Sequence, residues 1–591
     1  MSRFPSKIIE NKIIIGVKDR IAETVEELIE SDLFKNLLGR FLDRLIKKQS
    51  PLLGIFEEED ITAADKDLLY QTLYYLAKLE SALVPGVVKG SERFFRDRAL
   101  LNEFVEQLYN YWRSFDRFII CDSAGESFDK RPYRTFNTTV ERLMHLVLQA
   151  YRDIQENITS KHPRVYRQVH AGAEIATIAA PLNKTIFHKE YKFLNELSVI
   201  RQVLLYPPLI LEPPLNKRKG VFVEVDQNPI SYVDLDQREW LCFPAKVGSL
   251  IIFVYFHESF YELGFALSNL FELAADEDLD NPPDGVFLYG VDGAQLRRFG
   301  EFPTVFYEDR ENDMFVGAVP RGDEFGYFGY TKKMILTLHN LQVMKKGNLP
   351  FHGALVQILL KNNHQANVLL VGDSGAGKSE TLEALRKLGD EQIKELTIIA
   401  DDMGSININD QNNIVAYGTE IGAFLRLDDL HPGYAFGQLD RAIIMSAGQT
   451  NARIVLPVTT HENIVKGVPV DYAFYANNYE NVDSEHPIVE RFESPADAYR
   501  VFREGTVMSK GTTTTTGLVH NYFANIFGPV QRKKQHDEIA GRFFERFFEN
   551  EIFIGQLRTR LGVSGFEADG PKAAAEELLK ILMELYIKSS D

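Results

Sequence analysis

The sequence of 591 residues predicts an α/β protein with mixed α+β lobes and a helical N-terminal region. Residues 300–591 alternate short apolar runs with amphipathic stretches, which is typical of strands followed by helices. Within that part, a buried strand, a glycine-rich loop and a helix follow one another between residues 367 and 387. In the first 160 residues, apolar side chains recur at three- and four-residue spacing, which predicts helices at 21–48, 64–83, 92–119 and 138–158.

The predicted domain boundaries follow changes in the texture of the sequence. Residues 1–160 form the helical region, which is also a possible surface for a protein partner. Residues 161–314 contain paired prolines and β-rich runs such as 249–254, and they form a predicted α/β lobe on the substrate side. Residues 315–591 form the predicted phosphate-binding lobe, which ends in an amphipathic helix at 571–586.

Composition excludes several classes of protein. Apolar residues make up 45% of the chain and charged residues 25%, the balance of a globular protein with large cores. The net charge of −18 disfavours nucleic acid as a partner. The two cysteines, Cys121 and Cys242, are too few for a disulfide framework or a Cys-rich zinc site. The apolar run 250–256 is too short to span a bilayer and charges interrupt the N-terminal segment, so we expect a cytoplasmic protein without a membrane partner.

A phosphate-binding loop is predicted directly after the strand at 367–371. The loop Gly372-Asp-Ser-Gly-Ala-Gly-Lys-Ser379 is followed by a predicted helix at 380–387, the context that the G-x-x-x-x-G-K-[ST] pattern requires. Its backbone N–H groups can curl around phosphate oxygens, and the helix start adds positive potential. Lys378 can reach the terminal phosphates and Ser379 can bind Mg²⁺. The residues predicted to contact the phosphoryl donor are Gly372, Asp373, Ser374, Gly375, Ala376, Gly377, Lys378, Ser379 and Glu380.

Two carboxylates follow the next predicted strand, which covers residues 396–400. The strand ends in Asp401 and Asp402. Carboxylates at the C-terminal end of a strand in an α/β sheet lie where ligands bind, and they suit Mg²⁺. We therefore predict that they bind or support the metal ion of the phosphate loop.

The residues around this loop resemble the superfamily of phosphoenolpyruvate carboxykinase and HPr kinase. The loop itself is most similar to HPr kinase, whereas four other segments resemble the nucleotide-dependent carboxykinase and follow its order along the chain. The resemblance covers about residues 315–560. The four segments are Gly326–Lys333, with its Tyr-x-Gly-x-x-Lys-Lys pattern, the histidine segment Leu349–Ala354, the Asn-Thr-Arg-like segment Thr450–Pro457, and Gly505–Gly517 followed by Phe523–Gly528, which resemble the family's C-terminal nucleotide-pocket region.

The resemblance implies a reaction and its metal ions. Enzymes of this family interconvert oxaloacetate and a phosphoryl donor with phosphoenolpyruvate and CO₂. By resemblance, Lys333, His352 and Asp402 would bind a divalent transition metal, usually Mn²⁺. Ser379, with Asp401 or Asp402, would serve the Mg²⁺ of the donor.

The resemblance also implies residues for the substrate. Arg453 would bridge the substrate and the transferring phosphoryl group, and Tyr327 would line the carboxylate and CO₂ pocket. Elementary chemistry agrees, because an enolate and a migrating phosphoryl group both need positive charge beside them. The predicted catalytic residues are Lys333, His352, Lys378, Asp402 and Arg453.

The sequence departs from the carboxykinase pattern in several places. The family's acidic Asp-Asp-Glu-His stretch is here Asp401-Asp402-Met403-Gly404, and the helical N-terminal extension has no counterpart. The run Thr512–Thr516 replaces an arginine-containing stretch that holds the nucleotide in the family. Three phosphoryl donors therefore stay open: ATP, which is the first candidate, GTP, and pyrophosphate, which needs no pocket for a base. The arginine that grips the substrate carboxylate has no recognisable counterpart. Its candidates are Arg131, Arg134, Arg164 and Arg167.

Two alternative functions remain open from the sequence. The first is a kinase similar to HPr kinase, in which an aspartate acts as the base on a protein or small-molecule hydroxyl and in which Lys333 and Arg453 are dispensable. The second is a nucleotide-binding regulator without catalysis, in which the threonine run marks a decayed pocket and the helical N-terminus binds partners.

Overall fold

The chain divides into two compact units in the computed structural model. The first unit comprises residues 1–181 and 200–206, and the second comprises residues 182–199 and 207–591. Helices and strands occur in both, which confirms the predicted α/β class. The separation of 161–314 from 315–591 stays a prediction. The structure describes residues 5–17, 21–56, 60–122, 132–162, 164–166, 169–217, 221–388, 392–427, 439–510 and 516–590.

The first unit combines a sheet with helices that carry the predicted apolar stripes. Its sheet has the order Ser6–Ile9, Lys12–Val17, Asp116–Asp122, Ile175–Ala180 and then residues 200–205 of the strand Ser198–Leu205. The α-helices described in this unit are Val25–Glu30, Asp32–Lys47, Ala63–Leu76, Val84–Val87, Arg98–Arg113 and Pro132–Thr159.

The prediction of a helical N-terminal region missed the strands of this sheet. Ile13, Ile14 and Ile15 are buried in Lys12–Val17, which pairs in parallel with Asp116–Asp122. A strand that is covered on both faces shows a continuous apolar run, and periodicity alone does not separate such a run from part of a buried helix.

The second unit contains two large sheets, of which one includes the predicted strand at 249–254. In the second unit this sheet has the order Trp240–Val247, Leu250–His257, Gly285–Val291, Met314–Pro320, Val305–Asp309 and Val223–Glu224, with Glu272–Leu273 beside its first strand. The other large sheet has the order Val468–Pro469, Ile414–Gly418, Met403–Ile408, Leu349–Leu360, Gln365–Val371, Tyr472–Asn477, Phe553–Arg558 and Val489–Arg491, with Ile393–Ala400 beside Leu349–Leu360.

Two smaller sheets complete the β-structure described in the second unit. One has the order Gly422–Arg426, Arg453–Pro457, Ile443–Met445 and Leu209–Leu211, and the other is the hairpin of Thr506–Lys510 with Thr516–His520. The α-helices described in this unit are Tyr261–Phe265, Gly293–Leu296, Phe328–Lys345, Lys378–Leu388, His461–Val465, Pro495–Glu504, Lys533–Glu549 and Asp569–Ser590.

The helix Phe328–Lys345 packs against strands of both large sheets. Its buried residues occur on every face, among them Lys332. A helix that is apolar all round belongs in an interior. The chain therefore carries the lysines at 332 and 333 into the middle of the second unit.

Within the ranges that the structure describes, no helix has both the length and the apolar character needed to cross a membrane.

The helices of the first unit line an apolar cavity of about 70 Å³, and Leu73 in its wall is 0% exposed. We expect Leu73→Ala to lower the free energy of unfolding by about 3 to 5 kcal/mol, because it enlarges an existing void. Leu83→Ala, at a side chain that is 58% exposed, should change it by less than about 0.5 kcal/mol. Urea unfolding of both variants measures the difference, and equal effects would contradict this account of the core.

Candidate active site

One cavity of the second unit, about 430 Å³ in volume, gathers most of the residues predicted from the sequence. Gly372 and Ala376 do not line it, because they are buried within the loop, where a Cβ on Gly372 would lie 2.8 Å from that of Ala376. The predicted residues that do line the cavity are Tyr327, Lys333, His352, Asp373, Ser374, Gly375, Gly377, Lys378, Ser379, Glu380, Asp401, Asp402 and Arg453.

The phosphate loop has the predicted strand–loop–helix context. The strand Gln365–Val371 enters it, and the helix Lys378–Leu388 begins at its lysine. Gly375 and Gly377 have φ angles of +79° and +92°, which glycine adopts at little cost. A Cβ on Gly377 would also lie 2.5 Å from Oγ1 of Thr559, whose hydroxyl donates to a loop carbonyl at 2.7 Å.

Lys378 places its ammonium group inside the loop. Its Nζ donates to the carbonyl oxygens of Gly372 at 2.6 Å and Asp373 at 3.2 Å. The carboxylate of Asp373 accepts the N–H of Ser374 at 2.7 Å and the side-chain amide of Asn521 at 2.6 Å. The ammonium group and the start of the helix together give the loop the positive potential of an anion site.

A buried amide connects the loop to the hairpin of Thr506–Lys510 and Thr516–His520. Asn478 is 0% exposed, and its Nδ2 donates to the carbonyls of Gly375 at 2.8 Å and Met508 at 3.0 Å. Its Oδ1 accepts the N–H of Met508 at 2.8 Å. The amide thereby holds the loop against the hairpin, whose side chains also reach the cavity. The apolar side chains on this part of the cavity wall are Val507, Val519 and Leu561.

A buried ion-pair network fixes Asp402. Nζ of Lys332 lies 2.7 Å from Oδ2 of Asp402 and 3.2 Å from Oε1 of Glu420. Burial alone would lower the pKa of Lys332, but the two carboxylates outweigh burial and hold this pKa above its usual value. Burial raises the pKa of Glu420 to about 7. Burial opposes the charge on Asp402 as well, but Lys332 and His352 hold the pKa of Asp402 well below its usual value.

His352, in the strand Leu349–Leu360, is 2% exposed and lies between two acceptors. Its Nε2 lies 2.9 Å from Oδ1 of Asp402, and its Nδ1 donates a short hydrogen bond to the carbonyl of Ala524. A carbonyl only accepts, so a neutral His352 carries its proton on Nδ1 and turns the Nε2 lone pair towards the carboxylate. Two acceptors this close need a cation between them, either a second ring proton or a metal ion.

The spacing of the His352–Asp402 pair suits a hydrogen bond and equally suits two neighbouring ligands of one divalent cation. Two ligand atoms bound at right angles and about 2.1 Å from a cation lie about 3 Å apart, and these two atoms are 2.9 Å apart. Lys333 is half-buried, and its Nζ lies 4.8 Å from the ring centre of Phe527, a ring that is 5.9 Å from the imidazole of His352. In the described part of the chain, no three His, Cys, Asp or Glu side chains are grouped to hold a metal.

Two arginines from adjacent strands of one sheet line the cavity. Arg453 pairs with Arg426 across an antiparallel ladder. The guanidinium carbon of Arg453 lies 5.5 Å from the ring centre of Phe424, which is 6.2 Å from that of Tyr327. Like charges directly opposite on adjacent strands repel. A phosphoryl or carboxylate group that binds both would remove this repulsion and suits guanidinium chemistry.

Sequence reasoning missed Arg426 and Glu420. Arg426 ends a short apolar strand just as Arg453 begins one, and this symmetry was the available signal. Glu420 gave no signal, because an isolated glutamate is expected at the surface.

Most of the candidate arginines and the threonine run lie wholly or partly outside the described ranges. Arg131, Arg167 and residues 512–515 lie outside the described ranges, as do the side chains of Arg134 and Thr516. Arg164 is exposed in the first unit. The arginine for the substrate carboxylate therefore stays a prediction.

Comparisons with known proteins do not assign this chain to a family. A scan against protein-family models and a search of curated protein sequences find no match to this chain. The resemblance to the carboxykinases therefore rests on the sequence motifs.

Alanine variants of two loop glycines distinguish the effect of a steric clash from the effect of backbone strain. We expect Gly377→Ala to weaken pyrophosphate binding about 100-fold, because the new methyl group meets Thr559 at a positive φ. Gly375→Ala also has a positive φ but no atom within 4 Å of its Cβ, so its loss should be about 10-fold. Calorimetric titration of both variants measures the effects. An equal loss would show that Thr559 does not set the shape of the loop.

Proposed function

We propose that this chain is a phosphoenolpyruvate carboxykinase-like enzyme, which interconverts oxaloacetate and a phosphoryl donor with phosphoenolpyruvate and CO₂. The observation that carries the proposal is the cavity that the phosphate loop shares with Lys333, His352, Asp402 and Arg453. A phosphate loop alone is common to many phosphotransfer proteins. An imidazole–carboxylate pair and a pair of arginines beside it favour a reaction in which a second oxyanion develops near the phosphoryl group.

The proposed reaction develops negative charge at two places. The bond between the departing carboxylate and the adjacent methylene carbon of oxaloacetate breaks, CO₂ leaves, and the electron pair forms an enolate. The enolate oxygen attacks the terminal phosphorus of the donor, and the bond from that phosphorus to the bridging oxygen of the donor breaks. The site must therefore stabilise both the enolate oxygen and the transferring phosphoryl group.

The chain has cationic groups for the phosphoryl side. Lys378 and the loop N–H groups would hold the terminal phosphates of ATP, GTP or pyrophosphate. Arg453 and Arg426, which line the same cavity, would neutralise the transferring group. Tyr327, whose ring lies near that of Phe424, would border the carboxylate and CO₂ pocket.

Lys333, His352 and Asp402 would hold Mn²⁺ at the enolate side. Of the two adjacent lysines, Lys332 is committed to ion pairs with two carboxylates, and the family resemblance assigns the amine ligand to Lys333. When bound, the cations supply positive charge to the developing oxyanion and to the phosphate oxygens. The ligands proposed for Mg²⁺ are Ser379 with Asp401 or Asp402.

A direct assay tests the reaction. Purified protein with Mn²⁺, Mg²⁺ and oxaloacetate should form phosphoenolpyruvate with at least one of ATP, GTP and pyrophosphate, measured by coupled detection of the product. The full chain should also run the reverse direction from phosphoenolpyruvate, bicarbonate as the source of CO₂, and the matching phosphoryl acceptor, which is ADP, GDP or inorganic phosphate. Absence of phosphoenolpyruvate with all three donors would remove the proposal.

A pair of lysine variants on one helix separates this reaction from that of a hydroxyl kinase. Lys333→Ala should lower phosphoenolpyruvate formation about 100-fold and weaken Mn²⁺ binding, because it removes a proposed ligand. Lys345→Ala, which removes an ion pair with Asp313 at 2.7 Å, should leave both unchanged. Initial rates and Mn²⁺ titration measure the two effects. If Lys333→Ala keeps full phosphotransfer to a hydroxyl acceptor, the kinase alternative replaces the carboxykinase.

A further inference from the structure

The turn Tyr522–Asn525 beside the candidate metal site has an unusual backbone. Phe523, Ala524 and Asn525 have φ angles of +43°, +57° and +63°. Side chains with a Cβ disfavour this region, and only Asn visits it readily. Three such residues in succession persist where the surrounding structure fixes them.

The neighbours of the turn supply that support. The ring of Phe523 meets the ring of His536 edge-on, with 4.6 Å between their centres. The hydroxyl of Tyr522 donates to Oδ1 of Asp537 at 2.8 Å. On another side the turn lies against Gly505, where a Cβ would come within 2.8 Å of the nitrogen of Ala524.

The strained backbone delivers one specific contact to the site. The carbonyl of Ala524 accepts the hydrogen bond from Nδ1 of His352, and the opposite ring nitrogen faces Asp402 at 2.9 Å. A backbone carbonyl points where φ and ψ send it, so the left-handed turn sets the direction of this acceptor. A fixed acceptor at Nδ1 fixes both the tautomer and the orientation of a metal-binding imidazole.

We propose that the turn Tyr522–Asn525 is a positioning element for His352. It holds the Ala524 carbonyl against Nδ1 so that Nε2 and the Asp402 carboxylate form a two-ligand seat for a divalent cation before that cation arrives. The inference rests on the proposed function, which identifies the cation site. The residues of the turn would support the reaction through His352, although they do not touch the substrate.

A matched pair of tyrosines tests the anchor of the turn. Tyr522→Phe removes a hydroxyl that donates to Asp537 from within the turn, and Tyr499→Phe removes one that donates to the same oxygen, at 3.0 Å, from the helix Pro495–Glu504. We expect Tyr522→Phe to weaken the binding of Mn²⁺ alone roughly 10-fold and Tyr499→Phe to change it less than about twofold. Electron paramagnetic resonance of free Mn²⁺ measures both.

Two variants of Ala524 test the backbone directly. Ala524→Val adds a branched side chain at a positive φ, so it should displace the carbonyl and weaken Mn²⁺ binding at least about 10-fold. Ala524→Gly accepts the same φ and should keep the wild-type affinity. The visible spectrum of bound Co²⁺ should change with Ala524→Val and not with Ala524→Gly. Pyrophosphate affinity at the loop should stay unchanged in both, a readout that general damage would alter.

His352→Ala separates the two proposals. If it binds Mn²⁺ as tightly as the wild type, the cation site of the proposed function is wrong. If it loses Mn²⁺ while Tyr522→Phe and Ala524→Val keep the wild-type affinity and the Co²⁺ spectrum, only the positioning role is overturned. Should Ala524→Val fail to fold by circular dichroism, the contrast between the two tyrosine variants decides alone.

Discussion

The candidate site depends on the buried ion pairs that the ammonium group of Lys332 forms with two carboxylates. The side chain of Lys332 is 3% exposed and lies against the carboxylates of Asp402 and Glu420, and it helps to hold the pKa of Asp402 low against the effect of burial. A buried pair that loses one partner leaves an uncompensated charge, which is among the costliest local changes in a protein. The direction of the Asp402 carboxylate therefore originates in the helix Phe328–Lys345 and not in the phosphate loop, whereas His352 is held from its other side by the Ala524 carbonyl.

The parts of the site that the sequence predicts well are local. The strand predicted at 367–371 lies inside Gln365–Val371, and the helix predicted at 380–387 lies inside Lys378–Leu388. Glycines at fixed spacing, an apolar run before them and a helical pattern after them are all contained in about twenty residues of sequence. The adjacency of Asp401 and Asp402 to the loop follows from the same rule that places ligands at strand ends.

The parts that the sequence does not predict depend on contacts between distant segments. The pairing of Arg426 with Arg453 depends on strand register, which a single sequence does not reveal. The acceptor of His352 is a backbone carbonyl 172 residues away, and a backbone group leaves no mark in the amino-acid sequence. The strands around Ile14 were missed because a fully buried strand has no alternation to read.

Because the helix Phe328–Lys345 is buried on every face, its register fixes the position of Lys332 in the site. Successive residues of a helix are rotated by about 100°, so a slip of one position would turn the Lys332 ammonium away from its carboxylates and towards apolar neighbours. A helix that is buried on every face therefore cannot shift its register by small amounts. The position of this helix relative to the phosphate loop can therefore change only in steps of whole residues. We expect a single insertion or deletion within the helix to abolish the chemistry of the site and not to adjust it.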